Sequence, residues 1–365
     1  MFKLIKTKKN GIRLGRLTTP HGILATPFFM PDATRGFVKL TNNNDVISTK
    51  TKAMVVNTFH LYLQPGLEVI KKAGGIHKFM NWRGPLLSDS GGFQVFSLIH
   101  KDPANGRIND EKAIFRSPLD GSWHEFTPEK SIQIQFDLGT DMMVCLDDCP
   151  PNEFSRQEME KAVDRTIAWA SRCRREYDRQ IKKRRLSGRQ RPLLFVVVQG
   201  GMEVDLRERC ASELAAIGFD GYGFGARPID AAGNFLEEIM EKTAAAIPES
   251  APRFALGVGT PEDIRRSAAL GWDMFDCVIP SREGRHGKVY AKKGKNLEAY
   301  NIGNSRFSQD FKAVNAKSAL SLLRENSRAY LHHLFRLGDP LGQNLASLNN
   351  LEAYQELLAD LRQDK

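Results

Sequence analysis

Two aspartates lie in apolar stretches of the sequence, where they could do acid–base or nucleophilic chemistry. Asp89 lies in PLLSDSGGFQVFSL, residues 85–98, and Asp276 lies in MFDCVIPS, residues 274–281. A buried carboxylate needs a partner or a function, because taking its charge out of water is costly. Two facing carboxylates suit an anomeric carbon: one captures an oxocarbenium-like centre, and the other protonates the leaving group and then activates the acceptor. A local turn or cap is the alternative for each residue.

These aspartates belong to strand-like runs that alternate with amphipathic helical segments. The runs are short, apolar and rich in Val, Leu and Phe, and they lie at 53–59, 84–90, 141–148, 192–200, 221–226, 253–259 and 274–281. Apolar runs without strict alternation are typical of a parallel sheet that is covered on both faces. Thr127 and Thr260 each precede a proline and an acid, which predicts two helix N-caps.

Repeated strand–helix units over roughly 250 residues predict an α/β fold, a (β/α)8 TIM barrel. A doubly wound open sheet is the alternative, and the lack of a G-x-G-x-x-G after the first strand weighs against it. We expect one domain over residues 1–365, with 300–365 forming a mainly helical C-terminal subdomain packed on the barrel.

The carboxyl ends of barrel strands are where chemistry takes place in this fold. In this sequence those ends carry carboxylates, a carboxamide and glycines: Asp89, Asp147 with Asp148, Gln199 with Gly200 and Gly201, Gly225, Gly257 with Gly259, and Asp276. Together they predict a polar pocket in which a ligand approaches the backbone closely.

The charge balance favours a polyanionic partner. The chain has 53 Lys+Arg against 43 Asp+Glu, a net charge of +10, and phosphates are attracted to such a surface. Arg282 and Arg285 follow Asp276 in PSREGRHGK, residues 280–288, where a basic loop fits phosphates on either side of a reacting nucleotide. A second basic run, residues 172–191, is either a solvated helix face or a binding patch.

Composition argues against membrane-spanning and secreted classes. Hydrophobic residues make up 41% of the chain, and the apolar runs are too short and interrupted for a transmembrane span. The basic N-terminus lacks the apolar centre of a secretory signal. Five scattered cysteines show no zinc-site spacing, so we expect a reducing cytoplasm.

Six segments, in order, resemble the tRNA-guanine transglycosylases. They are NTFHL (57–61), LLSDSGGFQVFSL (86–98), FRSPLDGSWHEFTPEKSIQIQFDLGTD (115–141), VVQGG (197–201), GFDGYGFG (218–225) and MFDCVIPSREGRHG (274–287). The resemblance implies that guanine in the anticodon loop of tRNA is exchanged for a 7-deazaguanine base, the prequeuosine base or queuine. It also implies a double displacement through a covalent enzyme–RNA intermediate, a tRNA with a G-U-N anticodon as partner, and a homodimer or heterodimer.

The resemblance also implies roles for single residues, carried over position by position. Asp276 is the expected nucleophile and Asp89 the expected general acid/base. The expected base-binding residues are Ser90, Phe93, Asp147, Gln199, Gly225, Ala226 and Leu256, with Phe93 as the stacking ring. Arg282 and Arg285 are the expected contacts to the anticodon loop. A flipped purine needs groups of these kinds, since its edge must be hydrogen-bonded and its face stacked.

The C-terminal part departs from the family. Relatives usually bind a structural zinc through C-x-C-x-x-C and a later histidine. Counted from the matching segment 327–330, those positions hold Ser318, Leu320, Leu323 and Asn349. They lack the soft ligands that zinc takes. We therefore expect no zinc and no other cofactor, and we expect apolar contacts to stabilise this region in place of a metal.

The rim of the base site departs as well. Residues 226–231 read Ala226-Arg227-Pro228-Ile229-Asp230-Ala231, where bacterial relatives have a G-L-A-V-G-E-like run. This departure affects how a 7-aminomethyl group would be recognised, whereas Cys149 matches relatives that take an aminomethyl base. The identity of the inserted deazaguanine therefore stays open.

Two other functions stay open from the sequence. One is a non-catalytic subunit of an active homologue, although retention of Asp89 and Asp276 weighs against it. The other is a paralogue that modifies DNA, another nucleic acid or another base. A glycoside hydrolase barrel does not account for the ordered match along the chain.

Overall fold

Eight parallel strands form a barrel in the computed structural model, which describes residues 1–151, 154–226, 228–230, 232–294 and 296–363. The strands of the chain are β1 Phe2–Thr7, β2 Arg13–Thr19, β3 Gly22–Ala25, β4 Phe28–Pro31, β5 Met54–Val56, β6 Leu86–Ser88, β7 Gly106–Ile108, β8 Ala113–Arg116, β9 Trp123–Phe126, β10 Met142–Val144, β11 Leu193–Val198, β12 Gly221–Phe224, β13 Arg253–Ala255, β14 Met274–Cys277, β15 Lys288–Lys293 and β16 Asn296–Asn301. The helices are α1 Asn43–Ser48, α2 Thr58–Leu61, α3 Leu67–Lys72, α4 Ile76–Phe79, α5 Gly92–Lys101, α6 Pro128–Leu138, α7 Arg156–Arg184, α8 Val204–Ile217, α9 Glu237–Ala246, α10 Pro261–Ala269, α11 Ile279–Arg285, α12 Ser321–Glu325, α13 Arg328–Leu337 and α14 Pro340–Gln363.

The barrel strands follow the order β4-β14-β13-β12-β11-β10-β6-β5, and neighbouring strands are parallel. A parallel bridge between Asp32 and Val55 joins β4 to β5 and closes the ring. Parallel strands need long crossover connections, which the helices on the outside supply. The predicted (β/α)8 barrel is confirmed, and the open-sheet alternative is wrong.

All seven predicted strands are present, each shorter than its apolar run. The runs continue past the last paired residue into the loops at the barrel mouth. The eighth strand, β4, was not predicted, because FFMP is only four residues long, follows Pro27 and ends in Pro31, and proline cannot donate to a strand ladder. Both predicted N-caps are confirmed: Thr127 Oγ1 and Thr260 Oγ1 each accept a backbone N–H at 3.1 Å.

Side chains alternate between the inside and the outside of the barrel, since successive strand residues point to opposite faces. The inward set is an apolar cluster of Phe28, Met30, Val55, Leu87, Met142, Val144, Leu193, Phe195, Val197, Phe254 and Met274. The outward set packs under the helices and includes Phe29, Val56, Leu86, Leu194 and Phe275. The interior is thus filled, and a ligand can only be met beyond the last inward apolar residues.

Further elements enclose the barrel. The antiparallel sheet β1-β2-β3 adds Leu17 and Leu24 to the interior cluster, and a second antiparallel sheet, β7-β8-β9, lies between β6 and α6 in the chain. The long helix α14 packs on the outer core with Leu351, Tyr354 and Leu358. Across the described residues, no helix is both long and apolar enough to cross a membrane.

A separate apolar cluster holds the C-terminal region together. Its members come from β15 to α14: Val289, Ile302, Phe307, Val314, Leu320, Leu323, Leu331, Leu334, Leu345, Ala346 and Leu348. This cluster contains two of the four positions that the family resemblance matches to zinc ligands.

The four positions matched to zinc ligands make other contacts. Leu320 and Leu323 are buried in the C-terminal cluster. Ser318 Oγ donates to the buried carboxylate of Glu352, and Asn349 Nδ2 donates to a backbone carbonyl of β15 at 2.8 Å. A hydroxyl, an amide and two hydrocarbons do not fit zinc, which takes thiolate and imidazole ligands in structural sites.

Leu323→Ala is expected to lower the free energy of unfolding by about 2–5 kcal/mol, because it removes a fully buried side chain and leaves a cavity. Urea unfolding followed by circular dichroism measures this loss. Leu337→Ala is the matched control, since Leu337 is 68% exposed at the end of α13. Equal losses in the two variants would contradict a structural role for the cluster.

The melting temperature is expected to be insensitive to EDTA, with no zinc held by residues 318–349. One other group in the described chain has metal-ligating atoms close together: His21, His77 and Asp141, within 4.8 Å of one another. Metal analysis should therefore compare the wild type with His21→Ala, so that zinc at that group is recognised. Zinc that stays bound to His21→Ala would contradict a metal-free C-terminal region.

Candidate active site

One residue from each of six strands reaches the carboxyl-terminal mouth of the barrel. Each lies two positions after an inward apolar residue: Asp32 after Met30, Asn57 after Val55, Asp89 after Leu87, Gln199 after Val197, Leu256 after Phe254, and Asp276 after Met274. Because the inward set repeats every second residue, these six side chains point to the same mouth.

Asp276 lies at the end of β14 and is half-buried. Its Oδ1 accepts the Gly257 N–H at 2.9 Å, which holds the carboxyl group toward the loop after β13. Burial raises the pKa of Asp276 to about 7, the Gly257 N–H opposes this, and the nearby charge of Asp32 adds to it. A carboxyl group with such a pKa gains and loses its proton near neutral pH.

Asp89 follows β6 and is held by the loop after β5. Its carboxylate accepts the Thr58 N–H at 2.8 Å and the Asn57 side-chain amide at 2.5 Å. Burial raises the pKa of Asp89 to about 7 despite the Thr58 bond, and the charges of Asp32 and Asp276 raise it further. Because neighbouring carboxylates repel, the mouth retains a proton near neutral pH, so one group can act as the acid while another is ionised.

Asp32 is a third carboxylate at the mouth, and sequence reasoning missed it. Thr34 Oγ1 donates to Asp32 at 2.6 Å, and burial raises the pKa of Asp32. The signal for it is the two-residue repeat Phe28, Met30, Asp32, which can be read only when β4 is identified as a strand.

Asp147, Gln199 and Ser90 form one hydrogen-bonded group. Gln199 Nε2 donates to Asp147 Oδ2 at 2.7 Å, and Ser90 Oγ donates to Oδ1 at 3.4 Å. Burial raises the pKa of Asp147 to about 6, while the Gln199 bond lowers it. Within the described structure Gln199 Oε1 is buried without a hydrogen-bond partner. Unpaired buried acceptors are rare, so this atom is available to a donor on a bound molecule.

Asp148 was predicted at the same strand end, but it faces a different neighbour. It forms an ion pair with Arg165 of α7, and its N–H donates to Thr166 Oγ1 at 3.1 Å. Burial raises the pKa of Asp148, and the guanidinium of Arg165 opposes this. Of the two adjacent acids, Asp147 is the one that joins the Gln199 group.

Two glycines make room for larger side chains at the mouth. A Cβ on Gly225 would lie 2.4 Å from Gln199 Cδ, and a Cβ on Gly223 would lie 2.5 Å from Leu256 Cδ1. Ala226 follows with φ of 79°, in the left-handed region that a residue with a Cβ rarely adopts. The predicted base-binding residues Gln199, Gly225, Ala226 and Leu256 therefore lie together.

Phe93 lies in the first turn of α5, and its ring is 59% exposed. The turn before it depends on Gly91, which has φ of 77°. A Cβ on Gly91 would lie 3.1 Å from the ring of Phe126 and 3.2 Å from the backbone nitrogen of Phe59. This turn leaves the ring of Phe93 accessible for stacking.

Helix α11, which begins shortly after Asp276 in the chain, carries two arginines. Arg282 is exposed and Arg285 is half-buried. Burial lowers the pKa of Arg285, and the charge of Arg282 lowers it further. Two cations that repel one another gain stability when an anion such as a phosphate lies between them.

Five of the ten basic residues in the run 172–191 form ion pairs with carboxylates. Its ion pairs are Arg172–Glu129 at 2.7 Å, Arg174–Asp178 at 3.0 Å, Arg179–Glu176 at 2.7 Å, Arg184–Asp137 at 2.6 Å and Arg191–Asp220 at 2.7 Å. These pairs favour a solvated helix face over a binding patch. The segment 226–231, which departs from the family at the rim of the base site, is described only in part. Arg227 and Ala231 lie outside the described residues, and Asp230 closes a turn with Asn234.

Comparison with known proteins assigns the family. Residues 8–364 match the family model described as queuine tRNA-ribosyltransferase. The chain belongs to the queuine tRNA-ribosyltransferase family. Curated proteins of that name are similar along nearly their whole length: 40% identity over 358 residues in Desulforamulus reducens (98% of this chain, 92% of the relative), 40% over 364 residues in Desulforudis audaxviator (100% and 93%), and 38% over 366 residues in Staphylococcus aureus (99% and 91%).

The predicted resemblance is confirmed, and so is the prediction of a tRNA-guanine transglycosylase enzyme. The roles carried over to Asp89, Asp276 and the base-binding residues stay predictions, and the geometry of this queuine tRNA-ribosyltransferase family member makes them testable.

Asp276→Asn is expected to stabilise the protein relative to the wild type at high pH. A carboxyl group with a raised pKa favours folding most below its unfolded-state pKa, and this contribution is lost as the pH rises through about 7. The difference should therefore grow by up to about 1.4 kcal/mol per pH unit between about pH 4 and pH 7, then level off. Urea unfolding at pH 5, 6, 7 and 8 measures it, and a pH-independent difference would contradict the raised pKa.

Asp32→Asn is expected to move both limbs of the pH–activity profile to lower pH. Removing the negative charge of Asp32 lowers the pKa of Asp89 and of Asp276. The measurement is kcat/KM for base exchange from pH 5 to pH 9. Asp32→Glu, which retains the charge, is the control, and a profile of Asp32→Asn with unmoved limbs would rule out this electrostatic effect.

Proposed function

We propose that this enzyme exchanges guanine in the anticodon loop of tRNA for a 7-deazaguanine base through a covalent aspartyl-ribose intermediate. The observation that carries the proposal is the pair Asp276 and Asp89, which share one barrel mouth and both have a pKa of about 7. At neutral pH such a pair supplies an ionised nucleophile and a protonated acid together.

In the first step, a carboxylate oxygen of Asp276 attacks C1′ of the target ribose. The bond from C1′ to N9 of guanine breaks, and its electron pair leaves with the base. The proton on Asp89 is available to the leaving purine, so no free purine anion forms. The product is an ester between Asp276 and the ribose, with guanine free in the pocket.

In the second step, the incoming 7-deazaguanine attacks C1′ through N9. Asp89, now ionised, takes the proton from N9–H, and the ester oxygen of Asp276 leaves as a carboxylate. Both aspartates return to their starting protonation states, so the double displacement balances. The hydrogen bonds from Thr58 and Asn57 keep Asp89 in place for both transfers.

The base-reading residues complement the guanine edge. Asp147 offers carboxylate oxygens, and Gln199 Oε1 offers a buried acceptor without a partner among the described residues. The N1–H and exocyclic amine of guanine are matching donors. The exposed ring of Phe93 can stack on the purine face.

Arg282 and Arg285, together with the net charge of +10, support a tRNA partner bound through its phosphates. The G-U-N anticodon, the choice between the prequeuosine base and queuine, a homodimeric or heterodimeric state, and a cytoplasmic location stay predictions.

The test is incorporation of labelled guanine into unmodified tRNA with a G-U-N anticodon. The wild type is expected to incorporate label, and Asp276→Asn is expected to lose at least about 1000-fold in rate, because the nucleophile is removed. A denaturing gel run after incubation with tRNA alone should show a protein–RNA adduct for the wild type and none for Asp276→Asn. Asp164→Asn, at an exposed position of α7, is the control and should retain both signals.

Other outcomes distinguish the competing functions. A wild type that incorporates label only after addition of an active homologue would indicate a non-catalytic subunit. Incorporation into DNA but not into tRNA would indicate a paralogue with another substrate. An adduct that persists in Asp276→Asn would show that another group is the nucleophile.

A further inference from the structure

Arg207 is a fully buried cation beneath the base-binding loops. It is the fourth residue of α8, and its side chain is 1% exposed. Among the described residues, no carboxylate pairs with it. A buried charge without an acidic partner is costly, so its neighbours must compensate for the lost water.

Three backbone carbonyls accept hydrogen bonds from the guanidinium of Arg207. Nε donates to the Gly201 carbonyl at 2.7 Å, Nη1 to the Val198 carbonyl at 3.2 Å, and Nη2 to the Gly225 carbonyl at 3.0 Å. The guanidinium also lies 4.1 Å from the ring centroid of Phe224, where a cation–π interaction stabilises it. These carbonyls belong to the ends of β11 and β12 and to the loop after β11.

The cation persists at neutral pH. Burial lowers the pKa of Arg207 to about 10, and the nearby thiols of Cys210 and Cys149 raise it slightly. An apolar side chain of similar volume would fill this space without the desolvation cost. Packing alone therefore does not account for an arginine here. The hydrogen bonds that its planar set of N–H donors makes to three carbonyls do account for it.

The peptide group between Gly225 and Ala226 connects Arg207 to the pocket. In a planar trans peptide the C=O and the following N–H point in opposite directions. The Gly225 C=O points to Arg207, and the Ala226 N–H faces the thiol of Cys149, which lies beside Asp147 and Gln199 of the pocket. Ala226 has φ of 79°, which is unfavourable for alanine and has to be held by contacts elsewhere.

Close packing supports the same arrangement. A Cβ on Gly200 would lie 2.6 Å from Arg207 Cγ and 2.7 Å from its backbone nitrogen, so Gly200 allows the helix to approach the loop. Val198 O also accepts the Gly225 N–H at 2.9 Å. The guanidinium of Arg207 is thus bonded both to Val198, the residue before Gln199, and to the Gly225–Ala226 peptide.

We infer that Arg207 is a positioning residue for base selection: it holds the Gly225–Ala226 peptide so that the Ala226 N–H, which points toward Cys149, can donate to the acceptor of a base bound there. The inference rests on the proposed function. Asp147 and Gln199 Oε1 take the N1–H and amine donors of guanine, and the adjacent acceptor on that edge is O6. Arg207 therefore favours purines with a carbonyl oxygen at position 6, although it does not touch the base.

The test compares the affinities of guanine and 2-aminopurine, which lacks O6 and with it the N1–H, by competition equilibrium dialysis with labelled guanine. The variants are Arg207→Met, which removes the donors, and Arg207→Lys, which keeps the charge but not the fork. The preference for guanine is expected to fall about fivefold to tenfold in Arg207→Met and by less in Arg207→Lys, because one hydrogen bond to O6 is lost or weakened. The two purines also differ at N1–H, but Asp147 is the same in every variant, so this difference cancels and the change in their affinity ratio between variants reports on O6.

Arg209→Met is the matched control, since Arg209 lies two residues later on α8 and pairs with Asp164 on the surface at 2.8 Å. The affinity ratio does not depend on the folded fraction of a preparation, so a purely structural role would lower binding capacity and leave the ratio unchanged. If Arg207→Met does not fold, Arg207→Lys decides by the same criterion.

Two negative results have different meanings. A wild type without preference for guanine over 2-aminopurine would overturn the proposed guanine site itself. A wild type with that preference, together with an unchanged preference in the folded Arg207 variant, would overturn the role of Arg207 and leave the proposed function intact.

Discussion

The active-site mouth depends on the two-residue repeat of parallel strands in a closed ring. Inside the ring, apolar side chains fill the space completely, so that each strand presents its next inward residue at the carboxyl-terminal edge. Asp276, Asp89 and Gln199 reach one mouth for this reason, although almost 190 residues separate the first two in the chain. A one-residue shift in any strand would turn its functional side chain outward, toward the helices.

The low solvation of this mouth determines its chemistry. Carboxylates that lie close together in a poorly hydrated space cannot all be ionised, so some of these carboxyl groups stay protonated. Asp89 and Asp276 are thereby poised near neutrality, while Asp147 is held by Gln199. The basic groups lie outside this region, on α11, where the phosphates of an RNA can reach them. The carboxylates of the mouth and the arginines of α11 thus lie on separate elements.

The C-terminal region contributes to the site from a distance. Helix α14 bonds to the start of α11: Asn350 Nδ2 donates to the Pro280 carbonyl at 3.0 Å, and Ser347 Oγ donates to the Ser281 carbonyl at 3.2 Å. The same helix carries Glu352, which accepts from Ser318. Hydrocarbon packing and a buried hydrogen-bonded carboxylate therefore connect the region that the family resemblance matches to a zinc site with the helix that carries Arg282 and Arg285.

The sequence alone determined the strand–helix order, the barrel class and the principal acids, because local patterns of apolar residues and caps act over a few residues. Asp89 and Asp276 could be predicted since each interrupts or ends an apolar run. Tertiary structure decided the rest. The strand of Asp32 is too short to be recognised until β14 pairs with it. Only the packing of α7 separates Asp148 from Asp147, and only the convergence of α8 with two loops gives Arg207 its three carbonyls. Such contacts join residues far apart in the chain, and no local pattern encodes them.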